Sequence, residues 1–244
     1  MCIIRGPTLT WTSRRMAEAG VRPGYYPVCL DLSRRGCLVL GGNAAAADKA
    51  RHLAAAGADV TVVATEFVDE LVQMGGRHEV RLLARPYSEA DLDGVYLVID
   101  ASGDDRQGVQ VAEAARRRRV MVNVLDRVPL CDFIAPAVVR RGPLQVAVST
   151  AGRSPFMASH VRSLLEEFIG PEYGELVDLV GALRDRLRHE GLSVDEQTAV
   201  YRKVPGSGAL ELLRAGDREG ARGAVEACAH GRADSPSPPT PGST

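Results

Sequence analysis

The strongest constraint on the fold is an alternation of short apolar runs with helical segments of about ten residues, from residue 36 to 126. GCLVLGG reads as a strand, and AAAADKARHLAAAG reads as a helix ended by Gly57. ADVTVVA, EVRLLARPY, GVYLVIDAS and VMVNVLD read as further strands, with FVDELVQMGG and VQVAEAARRRR as helices among them. This order predicts an α/β fold, a parallel sheet wound with helices on both faces. Such sheets bind ligands at the carboxyl ends of their strands, where the strand order reverses. Gly41, Asp100 to Asp105 and Asp126 are therefore expected on one rim. FIAPAVVRRGPLQVAVST predicts two strands joined by Arg-Arg-Gly-Pro. From Ser154 onward the pattern turns helical, with charges at amphipathic spacing over PFMASHVRSLLEEFIG, EYGELVDLVGALRDRLRHEG and a last pair around residues 194–229.

The division expected is a flexible leader (1–24), a nucleotide-binding domain (25–126), a strand-rich segment (127–153), a helical domain (154–230) and a disordered tail (231–244). The tail is expected from its ADSPSPPTPGST composition. A formal net charge of −1 gives no general reason to expect nucleic acid as a partner. No run approaches the roughly 18 apolar residues that span a bilayer, and the first residues lack the apolar core of a secretory signal. No membrane association and a cytoplasmic location are the expectations. Cys2, Cys29, Cys37, Cys131 and Cys228 form no C-x-x-C pair, and the five histidines are scattered, so neither a disulfide framework nor a resident metal site is expected. Cys37, opening a strand, reads as a buried free thiol.

Chemistry is expected first at the glycine turn. A dinucleotide needs a tight turn, close backbone approach to its pyrophosphate and a small residue where helix meets sheet. Gly41 supplies the first and Ala46 the third. Asn43 stands where the middle glycine would be; it tolerates positive φ, yet its side chain would occupy space the phosphate wants. Nucleotide binding, or the fold kept without it, both remain open on these residues. Glu66 or Thr65 could hold the adenosine ribose, or Glu66 could be an acid at a helix start. Asp126 follows the fifth strand, as a proton acceptor or as a loop cap. Arg116 to Arg119 end a helix, where cations suit the dipole. Arg140, Arg141 and Arg153 flank a hydroxyl-rich loop with Ser149, Thr150, Gly152 and Ser154. That loop suits ligand carboxylates, or serves as a turn into a helix capped by Ser154 with Pro155 first.

Taken together, YPVCLDLSRRGCLVLGG, VTVVA, LDGVYLVIDAS and above all NVLDRVPLCDFIAPAVVRRGPLQVAVSTAGRSP resemble the precorrin-2 dehydrogenase and sirohydrochlorin ferrochelatase family, the first module of siroheme synthase, over roughly residues 25–225. The resemblance implies a Rossmann-like domain, then a dimerisation segment and a helical C-terminal domain. It implies NAD-dependent oxidation of precorrin-2, an eight-carboxylate tetrapyrrole, to sirohydrochlorin in a homodimer, with ferrous iron inserted by some members. Asp126 matches the family's catalytic aspartate, assigned to proton abstraction and to transient metal contact. The NAD contacts match Gly41, Gly42, Asn43, Ala44, Ala45, Thr65 and Glu66, with Ser102 after the fourth strand. Arg140, Arg141, Ser149, Thr150, Gly152, Arg153 and Ser154 match the substrate side, where arginines pair with propionate and acetate groups. Thr150 corresponds to a serine that can be phosphorylated in some members. Departures from the family cluster on the cofactor side: Asn43 for glycine, Asp48 for arginine, Asp100 and Gly103 in a stretch usually A-A-T-D-D, and Gly108 for asparagine. They define the alternatives: a chelatase only, an enzyme on another substrate, or a tetrapyrrole-binding protein without turnover.

Overall fold

The computed structural model describes residues 25–230; the expected leader and tail lie outside them. The chain divides into two compact units between Ala135 and Pro136. The first holds five strands: β1 (Gly36–Leu40), β2 (Asp59–Ala64), β3 (Arg81–Ala84), β4 (Leu97–Asp100) and β5 (Met121–Val124). All pair in parallel, in the order β3-β2-β1-β4-β5, so the order reverses between β1 and β4. The helices between them are α1 (Ala44–Ala55), α2 (Asp69–Gly76) and α3 (Asp105–Arg118).

Both faces of the sheet are covered, which is why its strands read as nearly unbroken apolar runs. On one face Val39, Val62 and Ile99 pack against Ala46, Ala47 and Ala50 of α1 and Leu71 and Met74 of α2. On the other, Leu38, Leu40, Val98 and Val122 pack against Val111, Ala112 and Ala115 of α3. The run of alanines lets α1 lie close on the sheet. Cys37 is buried as a free thiol, and burial, aided by the charge of Asp59, pushes it up to about 11. Helix α3 begins earlier than its apolar period predicts, because the Asp104 carboxylate caps it by accepting from the Arg106 and Gln107 N–H groups. Of the arginine run, Arg116, Arg117 and Arg118 reach Asp132, Glu89 and Asp93 across the surface.

The second unit opens with an antiparallel hairpin, β6 (Ala137–Arg141) and β7 (Leu144–Val148). Helices α4 (Pro155–Phe168), α5 (Glu172–His189), α6 (Val194–Tyr201), α7 (Ala209–Arg214) and α8 (Arg218–His230) follow. The final stretch thus forms three helices rather than two. Pro205 sits in a 3-10 turn and Gly208 turns left-handed, and together they split it. Leu183 and Leu187 of α5 form a core with Val200, Leu213, Val225 and their neighbours. Among the described residues no helix is long and apolar enough to cross a membrane.

Candidate functional site

The turn after β1 is squeezed between two other loops, and only glycine fits it. Gly41 has φ +115, and a Cβ there would lie 2.9 Å from the Ala101 carbonyl. A Cβ on Gly42 would lie 1.7 Å from the Glu66 carbonyl oxygen. Gly41 donates to Val63 O at 3.0 Å and Val68 donates to Gly42 O at 2.8 Å, fastening the turn to β2.

Asn43 does not need left-handed backbone: its φ is −90 and its ψ 178. Its side chain folds back, accepting from the Ala46 N–H at 2.9 Å and donating to Ala101 O at 2.8 Å. It is the N-cap of α1, and it ties that helix to the end of β4. Asn43 thus keeps the turn without the positive φ that its residue type would tolerate, and its side chain is committed to the helix start. Ala44 and Ala45 begin the helix, where N–H groups have no intrahelical acceptor and favour an anion. No acidic residue occupies that first turn. Asp48 lies further along α1 and meets Lys49 at 3.2 Å and Arg51 at 2.7 Å. Burial works to raise its carboxyl, but the Lys49 hydrogen bond and the nearby His52, Lys49 and Arg51 charges hold it below the usual range.

A crevice of about 540 Å³ opens beside this turn. Gly41, Gly42, Asn43, Thr65, Glu66 and Ser102 line it as expected, whereas Ala44 and Ala45 do not. Phe67, Pro86, Tyr87 and Gln107 line it as well. Sequence reasoning missed these four, since they come from loop ends and from one turn of α3 that carry no motif. Glu66 precedes α2, whose first-turn acids are Asp69 and Glu70, so the helix-start reading of Glu66 is set aside. Glycines that a Cβ would block, a helix N-terminus free of acids and a carboxylate after β2 together fit a bound dinucleotide.

Asp100 departs from its expected place. It is 2% exposed, beneath the first turn of α3 rather than facing the rim. A Cβ on Gly108 would lie 2.9 Å from Val124 Cγ1 and 3.5 Å from Asp100 Oδ2. The departures at 100 and 108 thus pack against each other.

Asp126 stands at the third position of the turn Val124–Arg127, closed by Arg127 N–H to Val124 O at 3.2 Å. Its φ is +60, a conformation cheap for glycine and uncommon for other residues. The side chain is exposed and makes no hydrogen bond or ion pair among the described residues. The turn is clamped from behind by Cys131. Its single S–H is shared between Val124 O at 3.2 Å and Arg127 O at 3.4 Å, and its sulfur accepts from Val124 N–H at 3.3 Å. Burial raises that thiol, which keeps it protonated as a donor. Asn123, 6% exposed, donates to Phe133 O at 2.9 Å. The Asn and the Cys-Asp-Phe of the sequence motif are therefore partners that fold the chain back along β5.

In the second unit the arginines separate. Arg141 donates to Ile169 O at 2.7 Å, Glu166 O at 3.0 Å and Arg140 O at 3.0 Å, so it closes the carboxyl end of α4. Arg140 and Arg153 are exposed, and their guanidinium groups have no acceptor among the described residues. The hydroxyls of the loop are used locally. Thr150 donates to Ser154 O and accepts from its N–H, Ser154 caps α4 through Met157 N–H, and Ser149 accepts from Ala151 N–H. Ala151 and Gly152 are both left-handed, which swings Arg153 outward. The structure thus contains the capped turn, with Pro155 first in the helix.

Residues 28–137 match the family model described as putative NAD(P)-binding, and residues 141–167 match that of the sirohaem biosynthesis protein central region. The siroheme synthase of Thioalkalivibrio sulfidiphilus is 36% identical over 202 residues, covering 83% of this chain and 41% of the synthase. That of Thiobacillus denitrificans is 38% identical over 203 residues, covering 83% and 42%. That of Methylococcus capsulatus is 40% identical over 164 residues, covering 67% and 35%. The chain therefore spans less than half the length of these relatives. A solved structure described as SirC, precorrin-2 dehydrogenase, aligns with a TM-score of 0.68 at 22% identity, over 83% of this chain and 100% of that one, a likeness of fold. The first unit is an NAD(P)-binding domain of Rossmann type, and the chain belongs to the siroheme synthase family.

Proposed function

We propose that the protein oxidises precorrin-2 to sirohydrochlorin with NAD. The observation that carries this is the pairing, in one unit, of an intact dinucleotide turn with an unpaired carboxylate held in a glycine-favouring turn at the rim. The oxidation removes a hydride and a proton from the tetrapyrrole. Bound NAD would supply the hydride acceptor; Asp126 takes the proton, and the Cys131 clamp holds its turn for that step. Gly41, Gly42 and the start of α1 would hold the pyrophosphate, with Thr65 and Glu66 at the adenosine ribose and Ser102 beside it. Arg140 and Arg153 are the cations we assign to substrate carboxylates; Gly152 shapes the loop, while Arg141, Ser149, Thr150 and Ser154 support it. In members that insert ferrous iron the metal is a substrate, and the same free Asp126 carboxylate is the group to receive it. No group of three or more metal-ligating side chains exists among the described residues.

We further infer a homodimer. Met157, Val161, Leu164 and Phe168 form an exposed apolar stripe at helical spacing along α4, with Phe168 82% exposed. A second copy of the stripe covers it by two-fold symmetry. Unpaired cysteines throughout the described residues fit a cytoplasmic setting.

Anaerobic incubation with precorrin-2 and NAD should give the sirohydrochlorin spectrum with matching NADH, and Asp126→Asn should lower turnover by about 10² or more. Wild type that makes neither product sinks the proposal. Light scattering should give twice the chain mass, and Leu164→Glu should halve it; a monomeric wild type removes the dimer.

A further inference from the structure

Asp100 ends β4 beside the point where the strand order reverses, almost wholly buried. Its Oδ1 accepts from the Ser102 N–H at 3.0 Å and faces the Gln107 amide nitrogen at 3.5 Å. Its Oδ2 has no partner, and among the described residues it shares that condition only with the hydroxyl of Tyr87. Leaving a buried oxygen without a donor costs free energy, so such an atom needs a reason. Tyr87 and Gln107 both line the crevice that also holds Glu66.

A carboxylate accepts hydrogen bonds and cannot donate them. Asp100 therefore fixes which way round the Gln107 amide lies. The NH2 end faces the carboxylate; turned over, the amide oxygen would meet a buried carboxylate oxygen. With its nitrogen end on the Asp100 side, the Gln107 amide lines the crevice, and its carbonyl makes no hydrogen bond among the described residues. One acceptor beside one donor is the pattern that pairs with adenine, through its exocyclic amino group and adjacent ring nitrogen. Hypoxanthine carries a carbonyl where adenine has that amino group, and would face the fixed amide oxygen with another acceptor. The adenosine half of a dinucleotide belongs on the β2 side, since the acid that meets its ribose ends β2.

We propose that Gln107, held in one orientation by Asp100, is the group that reads the base, so that the crevice selects adenine dinucleotides. This rests on the dinucleotide reading given above. The test is calorimetric titration of the full chain with NAD and with nicotinamide hypoxanthine dinucleotide. Wild type should bind NAD more tightly by roughly tenfold. Gln107→Ala removes the reader, and Asp100→Asn frees the amide to turn over at nearly constant volume; each should bring the two affinities together. Equal affinities in wild type, or a preference that survives both substitutions, overturn the proposal. If wild type binds neither dinucleotide, the dinucleotide reading itself fails and this inference goes with it; binding of NAD without preference isolates the failure to Gln107.

Discussion

Asn43 is where sequence and structure give opposite forecasts. By pattern, Asn43→Gly should repair a damaged dinucleotide turn. In the structure Asn43 holds two hydrogen bonds, the cap on Ala46 N–H and the tie to Ala101 O. Losing an asparagine cap to alanine costs about 1 kcal/mol, and losing the second bond costs about 1 kcal/mol more. Asn43→Ala should therefore destabilise the first unit by about 2 kcal/mol, a fall of roughly 8 °C in thermal midpoint for a unit of this size. Asn43→Gly should lose somewhat less, because glycine is tolerated at the N-cap. Neither variant should bind NAD more tightly than wild type, since the Asn43 side chain is tied down by both bonds and holds the turn and the start of α1 in place. Scanning calorimetry reads the first effect and titration calorimetry the second. An Asn43→Gly protein that keeps wild-type stability and gains about tenfold in affinity, about 1.4 kcal/mol, would refute the reasoning.

Gly42→Ala should abolish measurable NAD binding, because its Cβ would land 1.7 Å from the Glu66 carbonyl oxygen; unchanged affinity in a titration would show that the turn can open. Asp126→Gly should lose turnover while its thermal midpoint stays level or rises by the equivalent of about 1 kcal/mol, since glycine relieves the left-handed backbone but adds freedom to the unfolded chain. A lower midpoint would contradict this. The hydrogen bond from Arg85, against the opposing effect of burial, and with the Ser88 N–H, holds the Asp91 carboxyl below the usual range. Its stabilisation is therefore complete above the unfolded value of about 3.9 and fades as pH falls through the lower folded value. In denaturant titrations, the gap between wild type and Asp91→Asn should be constant from neutral pH to about 5 and close below about 4. A gap that instead widens on acidification would reverse the sign.

The parallel sheet was legible because strands buried on both faces must be apolar throughout, and the helices between them carry their own stops. Gly41 and Gly42 could be placed for the same local reason: a strand ending in two glycines before a helix leaves few conformations. The fate of polar side chains was not legible. Asn43, Arg141, Thr150 and Ser154 are all hydrogen-bonding residues near a presumed ligand, and sequence position cannot say whether the partner is a ligand or the backbone. In each case a helix end claims the side chain, at the start of α1 and at both ends of α4. Arg140 differs from its neighbour Arg141 only in the strand face it occupies, and this alternation leaves its guanidinium free. Tyr87 and Gln107 were invisible for a different reason: the crevice joins segments at residues 41–43, 63–68, 86–87, 102 and 107, and no local pattern encodes that meeting.

The departures that the family resemblance marks at positions 43, 48, 100 and 108 do not read as independent damage to a cofactor site. Asn43 replaces the conformational freedom of a glycine with a cap that the backbone at φ −90 can use. Asp48 is matched by Lys49, Arg51 and His52 on its own helix, so its charge does not stand alone before a pyrophosphate. Asp100 and Gly108 are in contact range: a Cβ at 108 would meet the Asp100 Oδ2 at 3.5 Å, while pressing on Val124 Cγ1 at 2.9 Å. Changes that drift after a function is lost have no reason to be compensated pair by pair. Coupling can be measured directly. In a double-mutant cycle, Gly108→Ala should cost stability in the Asp100 background through its 2.9 Å approach to Val124 and its contact with Asp100, and cost less once Asp100 is alanine. Additive effects would mean that the two positions changed independently, and the case for a maintained cofactor side would lose its strongest internal support.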